Sequence, residues 1–168
     1  MKNYSYTVVY MLAIVMVNYL FAYVPTFTVF GELVTPVDII VGCVYVLRDL
    51  AQREIKQYVI VAMLIATGIS YAMADKSIAF ASAAAFFVGE LIDWAIYSYT
   101  KKPLSQRLLW SSAISAPIDS IVFLSLINQL NWLGFTLLNG SKLIGILLIW
   151  YFAMRHHQKL TKSTVIVG

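Results

Sequence analysis

Six apolar stretches follow one another along the chain, at roughly residues 4–24, 34–50, 58–74, 77–99, 108–130 and 132–154. A helix crossing the hydrocarbon core of a bilayer takes about 20 mostly apolar residues. Six such runs consume most of the 168 residues and leave only short connections. They predict one integral membrane domain over residues 1–168, with little chain left for a soluble part. Backbone groups in lipid must be satisfied internally, so only helices and closed barrels qualify. Barrel strands alternate apolar and polar residues over about ten positions, whereas these runs are longer and continuously apolar. Composition agrees: 61% of residues are hydrophobic and 12% charged, where a soluble domain averages about 45–50% apolar. The expected fold is an all-α membrane protein with six transmembrane helices.

Charge placement supplies the orientation. When the six helices alternate sides, Lys2, Arg48, Arg53, Lys56, Lys101, Lys102, Arg107, Arg155, Lys159 and Lys162 all fall on one side, ten of the twelve Lys and Arg. Lys76 falls on the other, and Lys142 lies inside a span. Positive residues stay cytoplasmic, so both termini are expected in the cytoplasm and the protein in the cell membrane as a multi-pass chain. The net charge of +4 is thereby read as a topology signal rather than a nucleic-acid surface. The first apolar stretch runs about 20 residues to Pro25 without a small-residue cleavage site, and is read as a retained helix rather than a signal peptide.

Several chemistries find no motif. Cys43 stands alone, which gives neither a disulfide framework nor a paired metal site. His156 and His157 sit in the basic tail with no Cys or carboxylate beside them, weak grounds for a metal. No internal repeat and no Gly-rich phosphate loop is present. No cofactor, metal or nucleic-acid partner is expected.

The informative residues are the polar ones inside the spans. An ionisable group at mid-bilayer costs about 2.5–3.5 kcal/mol on insertion scales, so such groups face the bundle interior and usually serve a function. In "AFFVGELIDWAIYSY", Glu90 and Asp93 share a helical face at a spacing of three. Trp94 and Tyr97 follow at four and seven, and Ala81, Ala85, Gly89 and Asp93 form a row along which a neighbouring helix can approach closely. The fifth span carries Asp119 just after Pro117, where a broken backbone ladder frees carbonyls. The sixth carries Asn139 and Lys142, with Gly140 and Gly145 allowing close approach. Glu90, Asp119 and Lys142 lie at similar depth, which implies a midplane polar site of the kind transporters use. Lys142 either neutralises a carboxylate in a static pair or donates to a ligand. Three carboxylates around one lysine leave the balance negative unless protons or a ligand compensate. Arg48, Asp49 and Gln52 cluster at the end of the second span. Asn18 lies in the first, as an interhelical hydrogen bond or a site residue, and Asp38 lies nearer the outer end of the second.

Taken as a set, the Asn–aromatic pair of the first span, "VLRDLAQR", "AFFVGELIDWAIYSYTKK", "SSAISAPIDSIVFL" and "NGSKLIG" resemble the VUT family of queuosine-precursor transporters over nearly the whole chain. The nearest look is to its short bacterial and phage-type members. Asp38 is outside that pattern, and the sixth span reads Asn-Gly-Ser-Lys where Gly-Gln is expected ahead of the Gly-Lys pair. The resemblance implies a six-helix fold similar to the substrate-binding subunits of energy-coupling-factor systems, and uptake of 7-cyano-7-deazaguanine and its aminomethyl relative. The residue chemistry suits such a ligand. One carboxylate can accept adjacent ring and exocyclic N–H groups of a guanine-like edge, and aromatic faces stack on bases at about 1–3 kcal/mol each. Glu90, Asp93 and Asp119 are candidate acceptors, Lys142 and Asn139 candidate donors, and Phe86, Trp94 and Tyr97 candidate walls. Asn18, Arg48, Asp49 and Gln52 complete the candidate substrate site.

Other classes are weaker. An intramembrane aspartyl protease using Asp93 and Asp119 has the carboxylates but lacks the surrounding motif, so no enzyme is expected. A non-catalytic subunit of a larger membrane complex would use the buried charges as interhelical glue, and a substrate-binding subunit for another heterocycle or vitamin would share the architecture. The partners are a small molecule and the lipid bilayer, with a homo-oligomer left open.

Overall fold

A computed structural model of the protein describes residues 4–76 and 79–166, the side chains of residues 33 and 156–166 excepted. Lys2 lies outside the described residues. The side chains of His156, His157, Lys159 and Lys162, which carried part of the charge and metal reasoning, lie outside them too.

The described chain is helical apart from one small hairpin. In order it forms α1 (Ser5–Tyr23), β1 (Phe27–Val29), β2 (Glu32–Val34), α2 (Val37–Ile55), a 3-10 turn (Lys56–Tyr58), α3 (Val59–Met73), α4 (Ala79–Tyr99), α5 (Leu104–Leu126) and α6 (Trp132–Ile166). Five segments are long and apolar enough to cross a membrane, one of them Val37–Met73, which contains both α2 and α3. Their outer faces expose Leu12, Val15, Leu64, Ile65, Ile121, Leu147 and Leu148. Water does not tolerate such a continuous apolar surface, and association with a lipid bilayer follows.

Local chemistry sets the breaks. Pro25 follows the end of α1, since a proline disfavours helix at the residue before it. Phe30 and Gly31 both take positive φ, 53° and 91°, the geometry a two-residue hairpin loop needs. Thr35 Oγ1 accepts from the Val37 amide at 3.3 Å and opens α2. At Lys56 the backbone swings to φ 53° and reverses the chain. The first amides of α1 are capped from another helix: Glu54 accepts from the Tyr6 amide at 2.9 Å and the Thr7 amide at 2.8 Å, placing a carboxylate where the helix dipole favours one.

The helices close into a ring in the spatial order α1, α2, α6, α5, α4, α3 and back to α1, with α2 leaning inward to touch α3, α4 and α5 as well. Glu54 pairs the end of α2 with the start of α1, and Ser70 of α3 meets Asn18 near the end of α1 at 3.2 Å. Thus α2 runs opposite to α1, and α3 returns alongside it. One end of the bundle holds the N-terminus; the other holds the β-hairpin.

Close approach is concentrated at two crossings. A Cβ on Gly42 would collide with the Lys142 carbonyl, and one on Gly145 with the Ile39 carbonyl, so α2 and α6 meet backbone to backbone. The small-residue row of α4 is buried as expected. A Cβ on Gly89 would stand 2.8 Å from Asp119 Cβ and 2.9 Å from the Tyr45 hydroxyl. That bare glycine lets α4 receive the polar side chains of α5 and α2. Gly140 differs from the sequence expectation: nothing lies within 4 Å of a Cβ there, and the close contact of α6 belongs to Gly145.

Candidate functional site

The inward-leaning α2 brings Arg48 to the middle of the bundle, where its surface is fully covered. Arg48 Nη1 stands 2.8 Å from Asp49 Oδ1 and donates to Gln52 Oε1 at 2.7 Å. Nε lies 3.3 Å from Glu90 Oε2, and Nη2 pairs with Asp93. One guanidinium thus serves three carboxylates from two helices, the fork geometry to which arginine is suited. Hydroxyls complete the shell: Tyr10 donates to Glu90 Oε2 at 3.1 Å, and Ser111 donates to Asp49 Oδ2 at 2.5 Å. Glu90 Oε1 has no hydrogen-bond partner among the described residues.

This corrects the charge count. Arg48, counted above among the charges of one side, is fully buried within the bundle. It belongs to the interior, because the apolar run of the second span ends before its helix does: α2 continues to Ile55 and carries the Arg48–Asp49–Gln52 group inside.

A second pair lies on the hairpin side of the first. Lys142 Nζ pairs with Asp119 and donates to Ser120 Oγ at 3.1 Å, and the Tyr45 hydroxyl also hydrogen-bonds Asp119. Asp38 is buried on the same helix as Tyr45 and accepts from the Thr35 amide at 3.3 Å.

Between these groups and the hairpin end is a cavity of about 660 Å³, within the ~300–1,000 Å³ range of small-molecule sites. Glu90, Asp119, Lys142, Asp38 and Asp75 supply its charged lining. Asn18, Ser70 and Tyr45 supply neutral polar groups, and Phe86, Phe21 and Phe123 supply aromatic faces. Thr26 and Ala74 also line it, which with Asp75 carries it up to the connections at the hairpin end. Asn18 is held in place, donating to the Ile14 carbonyl at 2.9 Å while its oxygen accepts from Ser70.

The sequence candidates therefore divide. Glu90, Asp119, Lys142, Asn18 and Phe86 share the cavity wall. Arg48, Asp49, Gln52 and Asp93 form the packed layer beneath it. Trp94 is elsewhere: its Nε1 donates to Gln57 Oε1 at 3.1 Å in an exposed contact. Tyr97 lies toward the N-terminal end, its ring 4.0 Å under the Arg107 guanidinium, and lines a separate basic vestibule of about 600 Å³ with Gln52, Arg53, Lys56, Ser98 and Arg107. Asn139 is half-buried and not part of the wall. Spacings of four and seven from Glu90 give Trp94 and Tyr97 its face but not its depth, since each turn moves them about 5.4 Å along the axis.

Tyr10, Tyr45, Ser70 and Ser111 were not foreseen. Tyrosine and serine are ordinary in apolar helices, and their hydroxyls gain meaning only when helix faces are fixed. No group of three or more His, Cys, Asp or Glu with metal-binding geometry occurs among the described residues. No family model, curated protein or solved structure matches the chain.

The arrangement presents a recessed carboxylate with one buried, unpartnered oxygen, an amine already paired, and aromatic side walls. Such a site suits a small, flat, polar molecule that donates from one edge and accepts at another.

Proposed function

We propose that the chain is a cell-membrane transporter with six spans and both termini cytoplasmic, which imports 7-deazaguanine precursors of queuosine as the VUT-type resemblance implies. The observation that carries this reading is Glu90. Its Oε2 is tied to Arg48 and Tyr10, while its Oε1 is unpartnered in a wall that also holds Phe86 and Lys142. A carboxylate fixed this way accepts the paired N–H groups of a guanine-like edge with directional, charge-assisted bonds. Lys142 supplies a donor to the opposite carbonyl side. Phe86 and Phe123 offer stacking faces.

The basic residues support the orientation. Arg53 and Lys56 lie at the α2–α3 turn, Lys101, Lys102 and Arg107 around the α4–α5 connection, and Arg155 late in α6, while Lys76 lies at the α3–α4 connection. Even with Arg48 removed from the count, cations gather at the N-terminal end, which the positive-inside rule places in the cytoplasm. The cavity then reaches toward the exterior, the side from which an importer takes its solute. Reporter tags on both termini should read cytoplasm, and an exterior signal from either would reject the six-span arrangement.

The function is tested by expressing the chain in a host unable to make the precursor and supplying 7-cyano-7-deazaguanine. Queuosine should appear in host tRNA with the parent and be lost with Glu90→Gln. Equal queuosine with and without the chain would reject the reading.

A further inference from the structure

Two cations, Arg48 and Lys142, stand among five buried carboxyls: Asp38, Asp49, Glu90, Asp93 and Asp119. None of the seven is more than 6% exposed. Three carboxyls are thus without a counter-charge, and an isolated charge in such surroundings is neutralised rather than tolerated. The imbalance is sharpest at Arg48, where one guanidinium faces three carboxylates with no solvent contact.

The cluster also has two ends. Glu90 lines the cavity on the hairpin side. On the other side Arg48 Nη1 donates to Gln52, and Gln52 Nε2 donates to Ser98 Oγ at 2.8 Å. Gln52 and Ser98 both line the basic vestibule at the N-terminal end. A polar path therefore joins the two cavities through the packed layer, running Glu90, Arg48 with Asp93 and Asp49, Gln52, Ser98.

We propose that the Arg48 layer is a proton-binding site which couples solute import to proton entry, one proton held between Asp93 and Asp49 for each molecule bound at Glu90. This rests on the transport reading above and adds its driving force. Arg48 can neutralise one carboxylate. When ligand N–H groups engage Glu90, that carboxylate is committed to its charged form, and a proton shared on the Asp93–Asp49 side lowers the net charge of the layer from −2 to −1. Ligand and proton thereby favour each other, and the coupling is reciprocal. The groups facing Asp93 and Asp49 are Arg48, Gln52 and Tyr45 from α2, Tyr10 from α1, Glu90 and Tyr97 from α4, and Ser111 from α5. Of these, Arg48 is the single cation in contact with the layer. The proton arrives through the outer cavity by way of the Glu90 carboxyl and passes to water when the layer opens toward the vestibule lined by Gln52 and Ser98, with no bond other than O–H made or broken.

Two measurements test this. The first needs no substrate: infrared spectra of the purified protein in detergent near neutral pH. The parent should show the C=O stretch of a protonated buried carboxyl, diminished in Asp93→Asn or Asp49→Asn, with folded protein confirmed by melting. Absence of the band in the parent, or an unchanged band in both variants, overturns the proton site. The second uses liposomes and labelled 7-cyano-7-deazaguanine. An acid-outside gradient should drive accumulation in the parent approaching roughly tenfold per pH unit for a one-to-one ratio. A protonophore should abolish it. Asp93→Asn should keep base-for-base exchange while losing gradient-driven accumulation. Accumulation that ignores the proton gradient, or follows a sodium gradient instead, overturns the coupling. If the parent exchanges no base at all, the transport reading fails, and the infrared result still decides whether the layer holds a proton.

Discussion

Replacing Lys142 with methionine keeps length and apolar volume while deleting the only cation paired with Asp119 among the described residues. Lys142 is 4% exposed and Asp119 6%, so neither is relieved by solvent. Besides the amine, Asp119 keeps the Tyr45 hydroxyl, which cannot replace a positive charge. Removing one partner of a buried pair costs about 3–5 kcal/mol, because the other charge is stranded. For a chain of this size about 2–4 °C of melting temperature accompanies each kcal/mol, so Lys142→Met should melt roughly 6–20 °C below the parent. Adding Asp119→Asn removes the stranded charge and leaves an amide that still bonds Tyr45. The double variant should recover most of the loss, a coupling of at least about 2 kcal/mol, well beyond the ~0.3–0.5 kcal/mol scatter of independent sites. Fluorescence-detected melting of the four proteins in one detergent measures this. If Lys142→Met melts within about 2 °C of the parent, or the double variant melts no higher than the single, the buried-pair argument is wrong.

Three further outcomes are expected. Glu90→Gln keeps an acceptor for Tyr10 but turns an amide donor toward ligand donors; it should lose at least about 1.5 kcal/mol of affinity for 7-cyano-7-deazaguanine, roughly tenfold, and unchanged binding would exclude Glu90 as the acceptor. Gly145→Ala drives a methyl group into the Ile39 carbonyl and should cost about 1–3 kcal/mol by overpacking, whereas Gly140→Ala, with open space around it, should not lower the melting temperature. Glu54→Ala uncovers the first amides of α1 and should cost about 1–2 kcal/mol, as loss of a cap does, with faster amide exchange at Tyr6 and Thr7.

How much of this was legible beforehand depends on the kind of signal. Helix positions were, because apolar length is a one-dimensional property. The apolar stretch at 77–99 became α4 (Ala79–Tyr99), and that at 4–24 became α1 (Ser5–Tyr23). Ends set by hydropathy drifted where a helix continues into polar sequence. The second stretch, expected to close near residue 50, runs to Ile55. Those five residues decide whether Arg48 counts as a charge at the end of a span or an interior one. Glu90, Asp119 and Lys142 were readable as a group because an ionisable residue in an apolar run is costly wherever it lies. Their division into a cavity wall and a sealed layer was not. It depends on the lean of α2 across the bundle and on Gly89 admitting Tyr45, both products of packing between distant segments. Asp38 was noticed but set aside, since nothing in the sequence shows the start of α2 opening onto the same space as Lys142.

The brevity of α3 bears on the lipid around it. Its 15 residues rise about 22 Å at 1.5 Å each, some 8 Å short of a hydrocarbon layer about 30 Å thick. A short span is accommodated by drawing the bilayer thinner beside it. Its end at Met73 leads directly into Ala74 and Asp75, which line the mouth of the cavity. On the transport reading proposed above, a bilayer thinned beside α3 would let headgroups and water dip inward at that point, giving a polar solute an aqueous funnel on the α3 flank. Lengthening α3 by one apolar turn should close that funnel and slow entry without touching any residue that holds the solute.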